Sequence, residues 1–232
     1  VAIQVILSRL KDFSVHLIYG VTGSGKTEIY LQCIERCLAE GRQTLVLLPE
    51  IALTPQTLNR FRRRFNAPIA VLNSAVNEAA RDRHWDRARI GEAAIILGTR
   101  SAIFTPIRTL GLIIVDEEHD PSFAQQDGLR YSARDIAVKR GQIESCPVLL
   151  GTATPSLESW RNAESNRYHL HRLTKRVGSK GLPLQRTINI SGLNLTAGLS
   201  AELISAIKKT LAAGNQALVF LNRRGFANAL IC

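Results

Sequence analysis

Short apolar runs recur along the chain, separated by stretches in which apolar residues fall every three or four positions. The runs are 15–19, 44–48, 69–72, 94–97, 111–115 and 147–150. Most are apolar throughout, the pattern of strands buried on both faces. Helical spacing predicts helices over 26–39, 55–65, 78–90, 133–143 and 157–164. Thr54 followed by Pro55 is a good helix start, a hydroxyl cap and then proline at the first helical position. Phe61 and Phe65, four apart, are expected to face the core. Strand–helix alternation of this kind predicts an α/β fold, a mainly parallel sheet with helices on both faces.

The texture changes after residue 173. Residues 174–184 are basic and rich in Gly, Ser and Pro, and read as a linker. Beyond them the pattern predicts a strand at 187–190, a helix at 201–212 and a strand at 217–221. That tail is too short for a second domain.

Composition narrows the class. The 232 residues carry 30 Lys and Arg against 19 Asp and Glu, a net charge of +11. Such an excess favours a polyanionic partner, or simply marks a soluble basic protein. No apolar run approaches the ~20 residues that a membrane helix needs, and no secretory signal pattern opens the chain. The four cysteines, Cys33, Cys37, Cys146 and Cys232, form no C-x-x-C pair, which fits a reducing cytoplasm without disulfides. The chain starts at Val1 and holds no Met, so both ends read as cut from something longer.

Three motifs carry chemistry. Gly20, Val21, Thr22, Gly23, Ser24, Gly25, Lys26 and Thr27 fit G-x-x-x-x-G-K-S/T, between a predicted strand and a predicted helix. The glycines let backbone N–H groups curl around a phosphate, and the helix N-terminus adds partial positive charge. Lys26 is placed for the β- and γ-phosphates of ATP, and the Thr27 hydroxyl for Mg²⁺. The second motif, Asp116-Glu117-Glu118-His119, ends an apolar strand at the edge where open α/β sheets bind ligands. There Asp116 is a candidate for Mg²⁺ and Glu117 for orienting the attacking water. The third, Gly151-Thr152-Ala153-Thr154-Pro155, also follows a strand. Its hydroxyls could sense the γ-phosphate, or it is an ordinary strand-to-helix turn.

Candidate nucleic-acid contacts are weaker. Thr54, and Thr99, Arg100 and Ser101, sit at strand ends and helix starts where backbone phosphates bind. Arg60-Phe-Arg-Arg-Arg-Phe65 reads as a solvated basic helix end. The polar loop 122–135 holds Phe123, Arg130 and Tyr131, which either stack on single-stranded bases or pack down. His84, His169 and His171 read as structural.

The order phosphate loop, D-E-E-H, T-A-T resembles the first motor lobe of superfamily 2 helicases. The wording between is similar to the PriA family of replication-restart helicases. It is carried by Gly-Lys26-Thr-Glu-Ile-Tyr30, Leu48-Pro-Glu-Ile-Ala-Leu-Thr-Pro-Gln56, Gly98-Thr-Arg-Ser-Ala-Ile-Phe104, Asp116-Glu-Glu-His-Asp120 and Phe220-Leu-Asn-Arg-Arg-Gly-Phe226.

The resemblance implies a RecA-like ATP-binding lobe over 1–173, a linker over 174–185 and a truncated second RecA-like lobe over 186–232. It implies 3′-to-5′ unwinding of forked and single-stranded DNA, with primosome proteins and single-stranded-DNA-binding protein as partners. It places His119, Thr152 and Thr154 in coupling, and the aromatic loop in communication between DNA and hydrolysis. It implies Zn²⁺ only in the full-length protein, with Cys232 as a first ligand. Leu129 stands where the family's loop commonly carries Trp, and the second lobe's arginine-bearing motif is missing. The chain alone is therefore expected to hydrolyse ATP weakly. Two other readings stay open: a double-strand translocase of a restriction system, and a nucleotide-gated module that recognises forked DNA.

Overall fold

A computed structural model of the chain describes residues 2–174 and 184–220. The chain divides into two units, Val1–Gly181 and Leu182–Cys232. The first runs α1 (Ala2–Leu7), β1 (Val15–Gly20), α2 (Lys26–Ala39), β2 (Gln43–Leu47), α3 (Pro55–Arg64), β3 (Ile69–Leu72), α4 (Glu78–Ile90), β4 (Ile95–Gly98) and β5 (Leu110–Asp116). A small hairpin follows, β6 (Ala124–Gln125) and β7 (Tyr131–Ser132), then α5 (Ala133–Ile143), β8 (Val148–Thr152), α6 (Leu157–Glu164) and β9 (His169–Leu173).

Seven strands form one sheet in the order β3-β4-β2-β5-β8-β1-β9, and every neighbouring pair is parallel. The apolar runs explain this. Every residue of β2 and β4 is buried, as strands covered from both sides must be. One face packs on α1, α2 and α3 through Ile6, Ile29, Ile34 and Phe61. The other packs on α4, α5 and α6 through Ala88, Ala137 and Ala163. The result is a mainly parallel RecA-like sheet between two helical layers. Phe61 and Phe65 are both buried, with ring centroids 6.3 Å apart. Thr54 caps α3, its Oγ1 accepting from Thr57 N–H at 3.3 Å. Cys33, Cys37 and Cys146 are buried and unpaired, and burial pushes the Cys33 and Cys146 thiols up to about 12.

Besides the β6–β7 hairpin, which lies in the expected polar loop, β9 and α1 escape the sequence pattern. β9 pairs with β1 although its sequence, His-Leu-His-Arg-Leu, is only half apolar. It is an edge strand, with no strand on its outer side among the described residues. Its histidines instead meet His16 of β1: His16 Nδ1 lies 3.0 Å from His171 Nε2, and the His16 ring stacks on His169 at 5.1 Å. α1 is a short helix of six residues that buries Ile6.

In the second unit, α7 (Ala201–Ala212) matches its predicted span and is capped by Ser200, whose Oγ accepts from Leu203 N–H at 3.2 Å. The expected strand at 187–190 is absent, and residues 217–220 are not a strand either. β-propensity needs a neighbouring edge, and these segments are largely exposed and find no partner strand among the described residues. Residue 221, residues 175–183 of the expected linker, and Cys232 lie outside the described residues. No helix among the described residues is long and apolar enough to cross a membrane.

Candidate active site

β1 ends at Gly20 and α2 begins at Lys26, leaving a five-residue loop at the sheet's C-terminal edge. Gly23 and Gly25 hold φ of 80° and 95°, in the left-handed region that glycine tolerates. Gly25 caps α2 with no side-chain bond. The backbone N–H groups of Gly23, Gly25, Lys26 and Thr27 donate to no described residue. Those unmatched donors, with the helix dipole, form a ready anion cradle. Lys26 is buried beneath it. Its Nζ donates to the Gly20 carbonyl at 2.8 Å and lies 3.7 Å from Glu117 Oε1. Ser24 Oγ is buried without a partner among the described residues.

β5 delivers the carboxylates to the same edge. Asp116 Oδ1 accepts from the Tyr30 hydroxyl at 3.0 Å. Burial raises the Asp116 carboxyl above the usual range, opposed by that hydrogen bond and by the Lys26 charge. Burial, with Asp116 close by, pushes the Tyr30 phenol well above its ordinary value. Gly151 of β8 makes this contact possible, since a Cβ there would lie 1.4 Å from the Tyr30 oxygen. Glu117 adopts φ 48°, unusual for a residue with a Cβ. Its side chain lies between Lys26 and His119, with Oε2 3.8 Å from His119 Nδ1.

From there a polar path continues. His119 Nδ1 is hydrogen-bonded to Thr152 Oγ1 at 2.8 Å, and Thr152 Oγ1 accepts from Thr154 N–H at 3.0 Å. Thr152 is wholly buried and Thr154 exposed. Lys26, Glu117, His119, Thr152 and Thr154 thus form one connected chain from the phosphate loop to the third motif.

Sequence reasoning missed two residues here. Tyr30 sits one helical turn beyond Lys26, and a phenol on the buried face of α2 was its signal. Glu118 points away from the loop and is almost fully buried. It accepts from Ser156 N–H (2.8 Å), Ser156 Oγ (2.9 Å), Ser159 Oγ (2.9 Å) and Arg134 Nη1 (3.3 Å). It therefore ties the turn after β5 to the start of α6 and to α5. Its only sequence signal was its place in the acidic cluster.

The residues present fit a nucleotide and a hard cation. The unmatched N–H groups and the lysine suit phosphates. A hydroxyl at Thr27 and a buried carboxylate at Asp116 are oxygen donors of the kind Mg²⁺ takes. Among the described residues, no cluster of three His, Cys, Asp or Glu side chains is arranged to hold a metal. A cavity of about 730 Å³ borders Thr27 and is lined on its far side by Gln56, Asn59, Arg60 and Arg63 of α3.

The candidate nucleic-acid residues divide. Arg100 and Ser101 lie on the 3₁₀ turn after β4, Ser101 exposed, and Arg130 is exposed in the β6–β7 loop. Phe123 departs from the expectation of a base-stacking aromatic: it is 2% exposed and belongs to the core. Asp120 caps a 3₁₀ turn over Pro121–Phe123, its Oδ1 accepting from Ser122 N–H at 2.8 Å, and the turn drives the ring inward. Tyr131 is half-buried, packed edge-on against Phe104 at 5.0 Å. The Thr99 residue is largely buried, and Thr54 Oγ1 caps α3 and lies 3.2 Å from Thr57 Oγ1.

Residues 2–163 match the family model described as DEAD/DEAH box helicase. The chain is 52% identical over 220 residues to the replication restart protein PriA of Haemophilus influenzae, covering 95% of this chain and 30% of that protein. Against PriA of Bacillus subtilis it is 43% identical over 225 residues, covering 95% and 28%. The chain thus spans about 30% of the length of the curated relatives it matches. Among solved structures, the Pyrococcus furiosus Hef helicase domain superposes with a TM-score of 0.54 at 24% identity, over 74% of this chain and 38% of that one. RecG bound to a three-way DNA junction gives 0.51 at 24% identity, over 71% and 21%. At that identity the two structures attest to the fold alone. The chain belongs to the DEAD/DEAH box helicase family and, within it, is similar over nearly its whole length to the PriA replication restart proteins.

Proposed function

We propose that this chain is the ATP-binding part of a DNA helicase that works 3′ to 5′ in replication restart and primosome assembly. In this reading residues 1–173 form the first motor lobe, 174–185 a linker, and 186–232 the start of a second lobe. The protein acts in the cytoplasm on single-stranded and forked DNA. Family membership implies ATP and Mg²⁺ as cofactors.

The observation that carries the reading is the meeting of Lys26 and Glu117, 3.7 Å apart, beneath a loop of unmatched N–H groups. A lysine and a carboxylate so placed suit the two needs of phosphoryl transfer, charge neutralisation and orientation of water. The backbone of Gly23, Gly25, Lys26 and Thr27 would bind the β-phosphate. The Lys26 ammonium would leave the Gly20 carbonyl for the phosphates. Thr27 and Asp116 would hold Mg²⁺, which supplies further charge neutralisation when bound, and Tyr30 would keep the Asp116 carboxylate in place. Glu117 would orient the attacking water. Loss of the γ-phosphate would then be felt at Thr154 through His119 and Thr152.

Titration of each form with a fluorescent ATP analogue and Mg²⁺ tests the site. Lys26→Ala is expected to lose binding, and Glu117→Gln to keep it while stopping hydrolysis in the protein that carries both lobes. Equal affinity of wild type and Lys26→Ala would sink the assignment. In the same two-lobed protein, unwinding of a duplex with a 5′ tail and not of one with a 3′ tail would refute the polarity.

A further inference from the structure

α2 carries Thr27, a candidate cation ligand, and three positions later Tyr30, on the same turn of helix. Tyr30 is 3% exposed, yet its hydroxyl crosses to the end of β5 and donates to Asp116 Oδ1 at 3.0 Å. Among the described residues no other side chain hydrogen-bonds this carboxylate. Gly151 makes the room. It faces Asp116 in the register of β5 and β8. A Cβ there would overlap the Tyr30 oxygen and lie 2.7 Å from Tyr30 Cζ and 3.3 Å from Asp116 Oδ1. The φ of Gly151 lies outside the left-handed region, so the missing side chain supplies space and not backbone freedom. The phenol, the carboxylate and the glycine form one fitted set.

The bond fixes what Asp116 can offer a cation. With Oδ1 engaged, the carboxylate presents Oδ2 as a single donor. Turning both oxygens toward a cation would break the bond to the phenol. Mg²⁺ is small and demands near-octahedral geometry, while Ca²⁺ tolerates flexible arrangements and accepts both oxygens of one carboxylate. Thr27 and Tyr30 share one helix, so the phenol also sets Asp116 against the Thr27 hydroxyl.

We propose that Tyr30 is a positioning residue that sets the cation preference of the nucleotide site. By occupying one oxygen of Asp116 it favours Mg²⁺ over Ca²⁺, and Gly151 is the clearance that lets it reach. The proposal rests on the reading of Thr27 and Asp116 as cation ligands, and adds to it the residues that decide which cation they prefer.

Affinity for a fluorescent ATP analogue is measured in saturating Mg²⁺, in saturating Ca²⁺ and in EDTA, for wild type, Tyr30→Phe, Gly151→Ala and Asp116→Asn. In wild type, affinity relative to EDTA is expected to rise more with Mg²⁺ than with Ca²⁺. Tyr30→Phe should lose about ten-fold of the Mg²⁺ gain, the usual scale for a group that orients a metal ligand, and less than about two-fold of the Ca²⁺ gain. Its affinity in EDTA should hold, which checks that the phosphate loop is folded. Gly151→Ala, which pushes the phenol off Asp116, should shift the cation preference the same way. A packing role alone for Tyr30 would lower all three affinities together. That outcome, an unchanged Mg²⁺ gain in Tyr30→Phe, equal losses with the two cations, or a wild-type preference in Gly151→Ala overturns the proposal. Should neither cation raise affinity in wild type, or should Asp116→Asn keep the full Mg²⁺ gain, the reading of Asp116 as a cation ligand falls instead.

Discussion

Glu118→Ala is the most demanding prediction for stability. The carboxylate is buried and accepts four hydrogen bonds, from Ser156 N–H, Ser156 Oγ, Ser159 Oγ and Arg134. Removing it strands a guanidinium, a backbone N–H and two hydroxyls together. Ser156 Oγ keeps two partners, because Arg134 Nη1 donates to it at 2.7 Å and Ser159 N–H at 3.3 Å. Arg134 also keeps exposed Asp135 and Glu158, at 2.8 and 3.6 Å, so its charge is not wholly abandoned. Breaking one side of a buried pair costs about 3–5 kcal/mol. The remaining partners of Arg134 place the expected loss near the lower end, about 3 kcal/mol. For a domain of this size that is a fall in Tm of roughly 10 °C. Glu118→Gln preserves shape and one acceptor oxygen but turns a donor toward donors, and should cost about 1–2 kcal/mol. Urea denaturation at neutral pH measures both. A loss under 1 kcal/mol for Glu118→Ala would refute the argument that this carboxylate anchors the start of α6.

Two further expectations come from other contacts. Gly151→Ala would force its Cβ into the Tyr30 hydroxyl and displace it from Asp116, costing about 1–3 kcal/mol. The same change in a Tyr30→Phe background should cost less, and additivity in denaturation experiments would refute the clash. His16 is wholly buried beside His171, His169 and Arg9, and burial first, then those charges, lower it to about 3 from an ordinary 6.5. His16 is neutral in the fold, so its contribution to stability is intact above pH 6.5 and is lost as pH falls toward 3. By pH 5 the loss is about 2 kcal/mol. Denaturation curves at pH 7.5 and 5 should show it in wild type, and His16→Gln should show a smaller difference.

The six predicted apolar strands and five predicted helices of the first unit could be read from sequence because their patterns are local. An all-apolar run between helices has few alternatives to a parallel strand covered on both faces. The phosphate loop was equally plain, since its glycines, lysine and threonine act through positions adjacent in the chain. Where a residue's partner lies far along the chain, the pattern was silent or misleading. Phe123 in a polar loop looked available for DNA, yet its ring is in the core because of a 3₁₀ turn capped by Asp120. The segments 187–190 and 217–220 have strand-like composition, but no edge receives them among the described residues.

Sequence by itself thus determined the main element types and the sheet class, and supplied the candidate groups Lys26, Thr27, Asp116 and Glu117. Tertiary structure alone decided what those groups touch. It brought Tyr30 to Asp116 across 86 positions of sequence, turned Glu118 away from the loop into a buried knot, and linked Glu117 through His119 to Thr152. The reason is physical: hydrophobic periodicity specifies which face of an element is buried, whereas a hydrogen bond needs two particular atoms within about 3 Å. Only the packed sheet, with β1, β5 and β8 as neighbours, sets that distance.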